Sequence, residues 1–107
     1  MEATDRFVLI SDMLKKTPDD SFLNYALAME YLAKNEPDNA ILQLEELIKR
    51  DENYLGSYYQ LGKLYENKDE ISKAIDVYKR GIEKAELEKN NKAIGELNEA
   101  LWLIDDE

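Results

Sequence analysis

Apolar positions recur three and four residues apart in six stretches of this chain, and short polar breaks separate them. That spacing predicts helices throughout. A first helix over about 4–16, with Thr4 as N-cap, ends before Thr17-Pro18, because a residue preceding proline is pushed out of the helical region. Two antiparallel pairs follow, about 20–33 with 36–50 and about 54–67 with 70–86. Asn35 and Asp69 are placed to serve as N-caps of the second helices, and Pro37 falls in a first turn, where its missing N–H is no loss. After Glu88-Lys89-Asn90-Asn91 a last helix, about 92–104, carries Ala93, Ile94, Leu97, Leu101 and Ile104 on one stripe.

The two pairs are copies of one unit. Sliding the chain against itself by 34 residues aligns 21–51 with 55–85 and matches Tyr25/Tyr59, Leu27/Leu61, Tyr31/Tyr65, Ala40/Ala74, Ile41/Ile75 and Ile48/Ile82. Lys34/Lys68 and Glu36/Glu70 match as well. Most of these positions are apolar or aromatic and lie at helical spacing, as a repeated packing unit requires. The last helix is too short for another unit and has the amphipathicity of an element that covers the end of a solenoid core.

The second unit reads Tyr58-x2-Leu61-Gly62-x2-Tyr65 and then Ala74-x3-Tyr78. This resembles the tetratricopeptide repeat, in which an aromatic, Leu-Gly and Tyr mark the first helix and Ala with an aromatic the second. Tyr58 and Tyr78 stand where Trp and Phe are usual. In the first unit Asn24 replaces the aromatic, while Leu27-Ala28-x2-Tyr31 and Ala40-x3-Leu44 follow the pattern. Glu52 and Glu86 replace the closing Pro, and Pro18 stands at the equivalent place before the first unit. On the same register 7–16 resembles the second helix of a preceding half-repeat, with Arg6 in place of the usual Ala. The resemblance implies an all-α fold, a right-handed α-α superhelix of two helix pairs with an N-terminal helix and a C-terminal capping helix, read as one domain over 1–107.

Small residues at Ala28, Gly62, Ala40, Ala74 and Gly81 would let paired helices approach to about 8–10 Å. A glycine inside a helix costs roughly 0.5–1 kcal/mol relative to alanine, so Gly62 and Gly81 need a packing reason, and close crossing supplies one. Tyr31, Tyr65 and Tyr78 are expected to fill the space between neighbouring pairs, with their hydroxyls at the edge. Glu45–Lys49, Glu46–Arg50 and Asp76–Arg80 read as i,i+4 pairs on solvated faces.

In the family the first helices line a concave groove, and their residues off the packing stripe touch ligands. Carried over by register, the resemblance points to Phe22, Tyr25, Met29 and Leu32 in the first unit and Gly56, Tyr59, Lys63 and Glu66 in the second. The stretch from Phe22 to Ala33 is apolar almost all round and wants burial on every side. Leu27, Ala28 and Tyr31 serve the repeat core, which leaves Phe22-Tyr25-Met29-Leu32 over. One of the chain's own terminal helices covers that stripe, or it is an exposed groove for a partner's helix or extended segment. Met adapts to such a contact and Tyr anchors it at low entropy cost. Lys63 alone offers positive charge there, so a clamp for a partner's C-terminal carboxylates is not expected. Trp102, the single tryptophan, packs over the last repeat as part of the cap or serves, with Leu101, as an anchor for a homodimer.

Composition narrows the chemistry. Of 107 residues, 44% are hydrophobic and 36% charged, a globular balance with room for a modest core. The net charge of −10 repels nucleic-acid backbones and anionic membranes and tolerates a basic partner, so neither nucleic acid nor membrane is expected. Acidic Glu2 and Asp5 precede the run Phe7-Val8-Leu9-Ile10, unlike a secretory signal, and a cytoplasmic location is the default expectation. The chain has no cysteine and no histidine, which removes disulfides, thiolate chemistry and the usual neutral-pH acid–base group. The neighbouring acids Asp19/Asp20, Glu45/Glu46 and Asp105/Asp106/Glu107 read as solvated surface. Asp51, Asn53 and Gly56 match three places of a calcium loop, but Leu55 fails as a ligand and Gly62 stands where the bidentate Glu belongs. No catalytic residue, metal or cofactor is expected; a protein or peptide partner, or a second copy of the chain, is.

Overall fold

The computed structural model describes residues 5–105, which form α1 (Asp5–Lys16), α2 (Ser21–Ala33), α3 (Pro37–Arg50), α4 (Gly56–Asn67), α5 (Ile71–Leu87) and α6 (Asn91–Ile104). No strand occurs among the described residues. The proposed cap Thr4 lies outside them. Helix boundaries fall within about two residues of the predicted ones, because Pro, Asn and Asp punctuate the chain where the apolar period stops. The contacts divide the chain into two compact units, Met1–Asp51 and Glu52–Glu107.

In the first unit α2 and α3 pack antiparallel around buried Leu27, Ala28, Ala40, Ile41, Leu44 and Leu47, and α1 lies on α2. Asp20 caps α2 by accepting from the Leu23 N–H at 2.9 Å. Arg50, expected to pair with Glu46, reaches instead to Asp19 at 2.9 Å and the Pro18 carbonyl at 3.2 Å, while Glu46 pairs with Lys49 at 3.7 Å. The chain before α2 is thereby tied to the end of α3.

In the second unit α4 and α5 interlock through two glycines. A Cβ on Gly62 would stand 2.2 Å from the Tyr78 ring, and one on Gly81 would stand 2.6 Å from the Tyr58 Cβ. Each glycine is the seat of a fully buried tyrosine from the facing helix, which is the close crossing the small residues predicted. Tyr78 therefore fills the seam inside this pair, not the space between pairs. Its size suits the hole that glycine leaves in α4. Of the expected surface pairs, Asp76–Arg80 forms, at 3.7 Å. Helix α6 packs chiefly on α5 and also touches α4; it buries Leu97 and Ala100 and half-buries Ala93, Ile94, Leu101 and Ile104.

The turns correct the assignment of Asn35 and Asp69 as N-caps. Both have positive φ, 62° and 64°, and stand just past the ends of α2 and α4. The Glu36 N–H donates to the Tyr31 carbonyl and that of Asn35 to Leu32, each at 2.9 Å; Glu70 to Tyr65 and Asp69 to Glu66 repeat both bonds. These are left-handed helix stops, and Asn and Asp tolerate that backbone better than other non-glycine residues. Glu36 and Glu70 take the N-cap places with no side-chain cap bond. Lys89, φ 56°, stops α5 in the same way, and Asn90 then caps α6 through the Ala93 N–H at 3.0 Å.

Candidate functional site

One candidate face belongs to α2, in the first unit, a helix with neighbours on two of its sides. Toward α1, Phe7 meets the Tyr31 ring edge-on at 5.2 Å, the Arg6 guanidinium pairs with Glu30 at 2.7 Å, and Lys34 stands 4.9 Å over the Phe7 ring. Toward α3, Gln43 donates to the Asn24 side-chain oxygen at 2.7 Å. The remaining side carries Phe22, Tyr25, Met29 and Leu32, since positions three and four apart share a helix face. Phe22 is 65% exposed. Tyr25, Met29 and Leu32 are half-buried. The contacts of α1 fall on Glu30, Tyr31 and Lys34, away from that stripe.

Asn24, where the family pattern has an aromatic, is buried, and its amide is fully used. It donates to the Pro18 carbonyl at 3.0 Å and the Asp20 carbonyl at 2.8 Å while accepting from Gln43. Burying an amide with all its partners in place avoids the penalty of an unpaired polar group and fixes the start of α2, hence the aim of Phe22 and Tyr25.

Another candidate face belongs to α4, in the second unit. Tyr59 and Lys63 are half-buried neighbours, with the Lys63 ammonium 5.9 Å from the Tyr59 ring centre and 3.8 Å from a Glu66 oxygen. The other Glu66 oxygen accepts the Tyr78 hydroxyl. Burial, the Glu66 hydrogen bond and its negative charge together push the Tyr78 phenol well above its ordinary value, so it stays a neutral donor. The Tyr59 and Tyr78 rings lie 6.5 Å apart. Glu66 is thus engaged from two sides, and Lys63 is the member whose ammonium faces outward. Gly56 and Tyr59 line one wall of a shallow cleft whose other wall is Ala93, Lys92 and Glu96 of α6. The C-terminal helix therefore borders the start of this face.

Trp102 is 75% exposed and does not pack down as part of the cap, while Leu101 beside it is half-buried. Asp51, the first candidate of the calcium loop, is the C-cap of α3 and accepts the Ser21 hydroxyl. Sequence reasoning did not find the Asn24–Gln43 bond, which joins residues 19 apart on different helices, nor the pairing of Tyr78 with Glu66. Among the described residues, no helix is long and apolar enough to cross a membrane.

Comparison with known proteins follows this geometry. The tetratricopeptide repeat model matches residues 23–54 and 55–83, more than half of the chain. A tetratricopeptide repeat domain protein from Salinibacter ruber is similar in two solved forms. Its crystal structure has 42% identity and a TM-score of 0.77 and covers 81% of this chain and 97% of its own; its solution structure has 43% and 0.80, covering 83% and 90%. A protein from Bordetella parapertussis has the same fold at 21% identity, with a TM-score of 0.80 over 99% of this chain and 90% of its own. A search of the curated proteins finds no match. Tetratricopeptide repeats form a non-enzymatic scaffold fold that generally mediates protein–protein interaction. With its 34-residue repeat, its all-helical fold and matches of this extent, the chain belongs to the tetratricopeptide repeat family.

Proposed function

We propose that this protein is an interaction module, an adaptor or scaffold, in which the open face of α2 takes a segment of a partner protein. The observation that carries the reading is the apolar stripe of α2, with Phe22 65% exposed and Met29 and Leu32 half-buried on the same face. A partner segment with an apolar or aromatic anchor fits that stripe, and basic flanks suit the net charge of −10. On α4, Tyr59 and Lys63 form a separate face for a partner, with Glu66, bound to Tyr78 and near Lys63, behind them. We place the protein in the cytoplasm, acting without cofactor, nucleic acid or membrane. A second reading, a homodimer through α6, draws on the exposure of Trp102 beside Leu101.

The test is site-specific photo-crosslinking in cells. A photoreactive phenylalanine analogue replaces Phe22 in one variant and Leu42, equally exposed on α3, in another. Discrete adducts from position 22 and none from 42 are expected. Equal adducts from both, or none from either, would contradict the reading, and an adduct that is a second copy of this chain would move it to self-association.

A further inference from the structure

The terminal helices α1 and α6 carry the faces of two different halves of one repeat. In the second pair the α4 residues that meet α5 include Tyr58, Gly62 and Glu66. Thirty-six residues on, α6 repeats the spacing Tyr58-x2-Leu61-x3-Tyr65 as Ile94-x2-Leu97-x3-Leu101, with Asn98 in the place of Gly62 and Trp102 in that of Glu66. Leu97 is buried as Leu61 is, but Ile94 and Leu101 are only half-buried, and Asn98 and Trp102 are exposed. What α6 leaves open is the side on which a first helix receives its second.

Helix α1 shows the complement. Residues 68 positions before Val77, Tyr78 and Gly81 are Leu9, Ile10 and Met13. All three α5 residues are buried, whereas Leu9 is 61% exposed, Met13 47% exposed and Ile10 half-buried. Phe7, which meets Tyr31 of α2, and Leu14 are half-buried. Arg6, at the position of the small Ala40 and Ala74, has its guanidinium held against α2 by Glu30 at 2.7 Å.

Charge repeats with the same period. Arg50 ends α3 and pairs at 2.9 Å with Asp19 in the turn before α2; Lys84, 34 residues later in α5, pairs at 2.9 Å with Glu52 in the turn before α4. The third member of this series is Lys16, at the end of α1, and the acid in the turn before α6 is Glu88. Both are exposed, and neither has an ion pair among the described residues.

We propose that α6 of one copy and α1 of the next pack antiparallel as a helix pair of the α4–α5 kind, joining copies head to tail. Ile94 then meets Met13, Asn98 meets Ile10, and Glu88 pairs with Lys16. Such a contact is heterologous, so assembly continues past the dimer, into a ring or an open filament. It uses neither the α2 stripe nor Tyr59, and its failure would leave the adaptor reading standing.

Sedimentation velocity over a wide concentration range tests it with the whole chain. The wild type is expected to exceed the mass of a dimer as concentration rises. Met13→Glu, which blocks α1, and Asn98→Glu, which blocks α6 at an exposed position, are each expected to remain monomeric, with helical content confirming that both fold. Mixed in equal amounts they restore one competent junction and give a dimer that grows no further. Lys16→Glu weakens association about threefold, as loss of an exposed ion pair does, and the added change Glu88→Lys restores it. A wild type that stays monomeric overturns the proposal. So does Met13→Glu still dimerising alone, as a symmetric α6–α6 contact would allow, or a mixture that stays monomeric.

Discussion

The pairs α2–α3 and α4–α5 stop their first helices with the same left-handed turn yet fill their seams differently. Where the second pair sets Gly62 against Tyr78 and Tyr58 against Gly81, the first has Ala28 with Leu44 and Asn24 with Leu47 at the same register. Each exchange trades volume across the seam, in opposite directions: Ala28 adds a methyl group on the first helix against a smaller Leu44, while Asn24 is smaller than Tyr58 and faces a larger Leu47. The start of the first helix shows the same economy. Asn24 donates to the Pro18 carbonyl at 3.0 Å, and Tyr58, 34 residues later, donates to the Glu52 carbonyl at 2.7 Å. In both units the side chain at this place donates to the carbonyl six residues before it, and an amide or a phenol serves. The repeat thus specifies a volume and a donor at these places, and leaves the residue type free.

The largest effect is expected where that trade is broken. Gly62→Ala forces a methyl group to within 2.2 Å of a fully buried ring and should destabilise the protein by about 3 kcal/mol in urea unfolding. Importing the first pair's combination, Gly62→Ala with Tyr78→Leu, should recover much of the loss; no recovery would mean the two seams are not equivalent. Asn24→Leu leaves the Gln43 amide without its partner and removes one of two donors from the Pro18 and Asp20 carbonyls, and should cost about 2 kcal/mol, whereas Tyr58→Phe, which removes one donor from the Glu52 carbonyl, should cost about 1 kcal/mol.

Next comes a pH effect confined to the second pair. The Tyr78 phenol ionises less readily in the folded chain than at its ordinary value of 10.0. Above about pH 10 the unfolded chain loses that proton while the folded chain keeps it, so stability is full below that pH and falls as pH rises through it, by at most about 1.4 kcal/mol per pH unit. Tyr78→Phe should flatten the fall, and an unchanged slope would remove Tyr78 as its source. The smallest effect should be a gain. A Cβ on Gly95 meets nothing within 4 Å, and Gly95→Ala should stabilise α6 by roughly 0.5–1 kcal/mol.

Which parts were legible in the sequence follows from the range of each interaction. Helix positions, the 34-residue repeat and the need for close packing at Gly62 and Gly81 rest on local spacing and residue size, and these read directly. Asn35 and Asp69 were misplaced because both residue types favour N-caps and left-handed stops alike, and only the backbone decides. Lys89 makes the same stop with no compositional signal at all. The Asn24 network was invisible because its partner Gln43 lies on another helix and no spacing rule links them. For the candidate site, the register placed Phe22, Tyr25, Met29 and Leu32 on one face, but the commitment of Glu66 to Tyr78 needed the packing of α5 to be seen.

The measurement that bears most directly on an interaction role is mapping of a selected ligand by amide chemical shifts. Peptides are selected from a display library on the wild-type chain and counter-selected on Tyr25→Ala/Tyr59→Ala, a variant shown to be folded. The interaction reading predicts peptides with apolar or aromatic anchors whose binding shifts Tyr25, Met29 and Leu32 on α2, or Tyr59 and Lys63 on α4. Peptides that bind both chains alike, with shifts elsewhere, would contradict it.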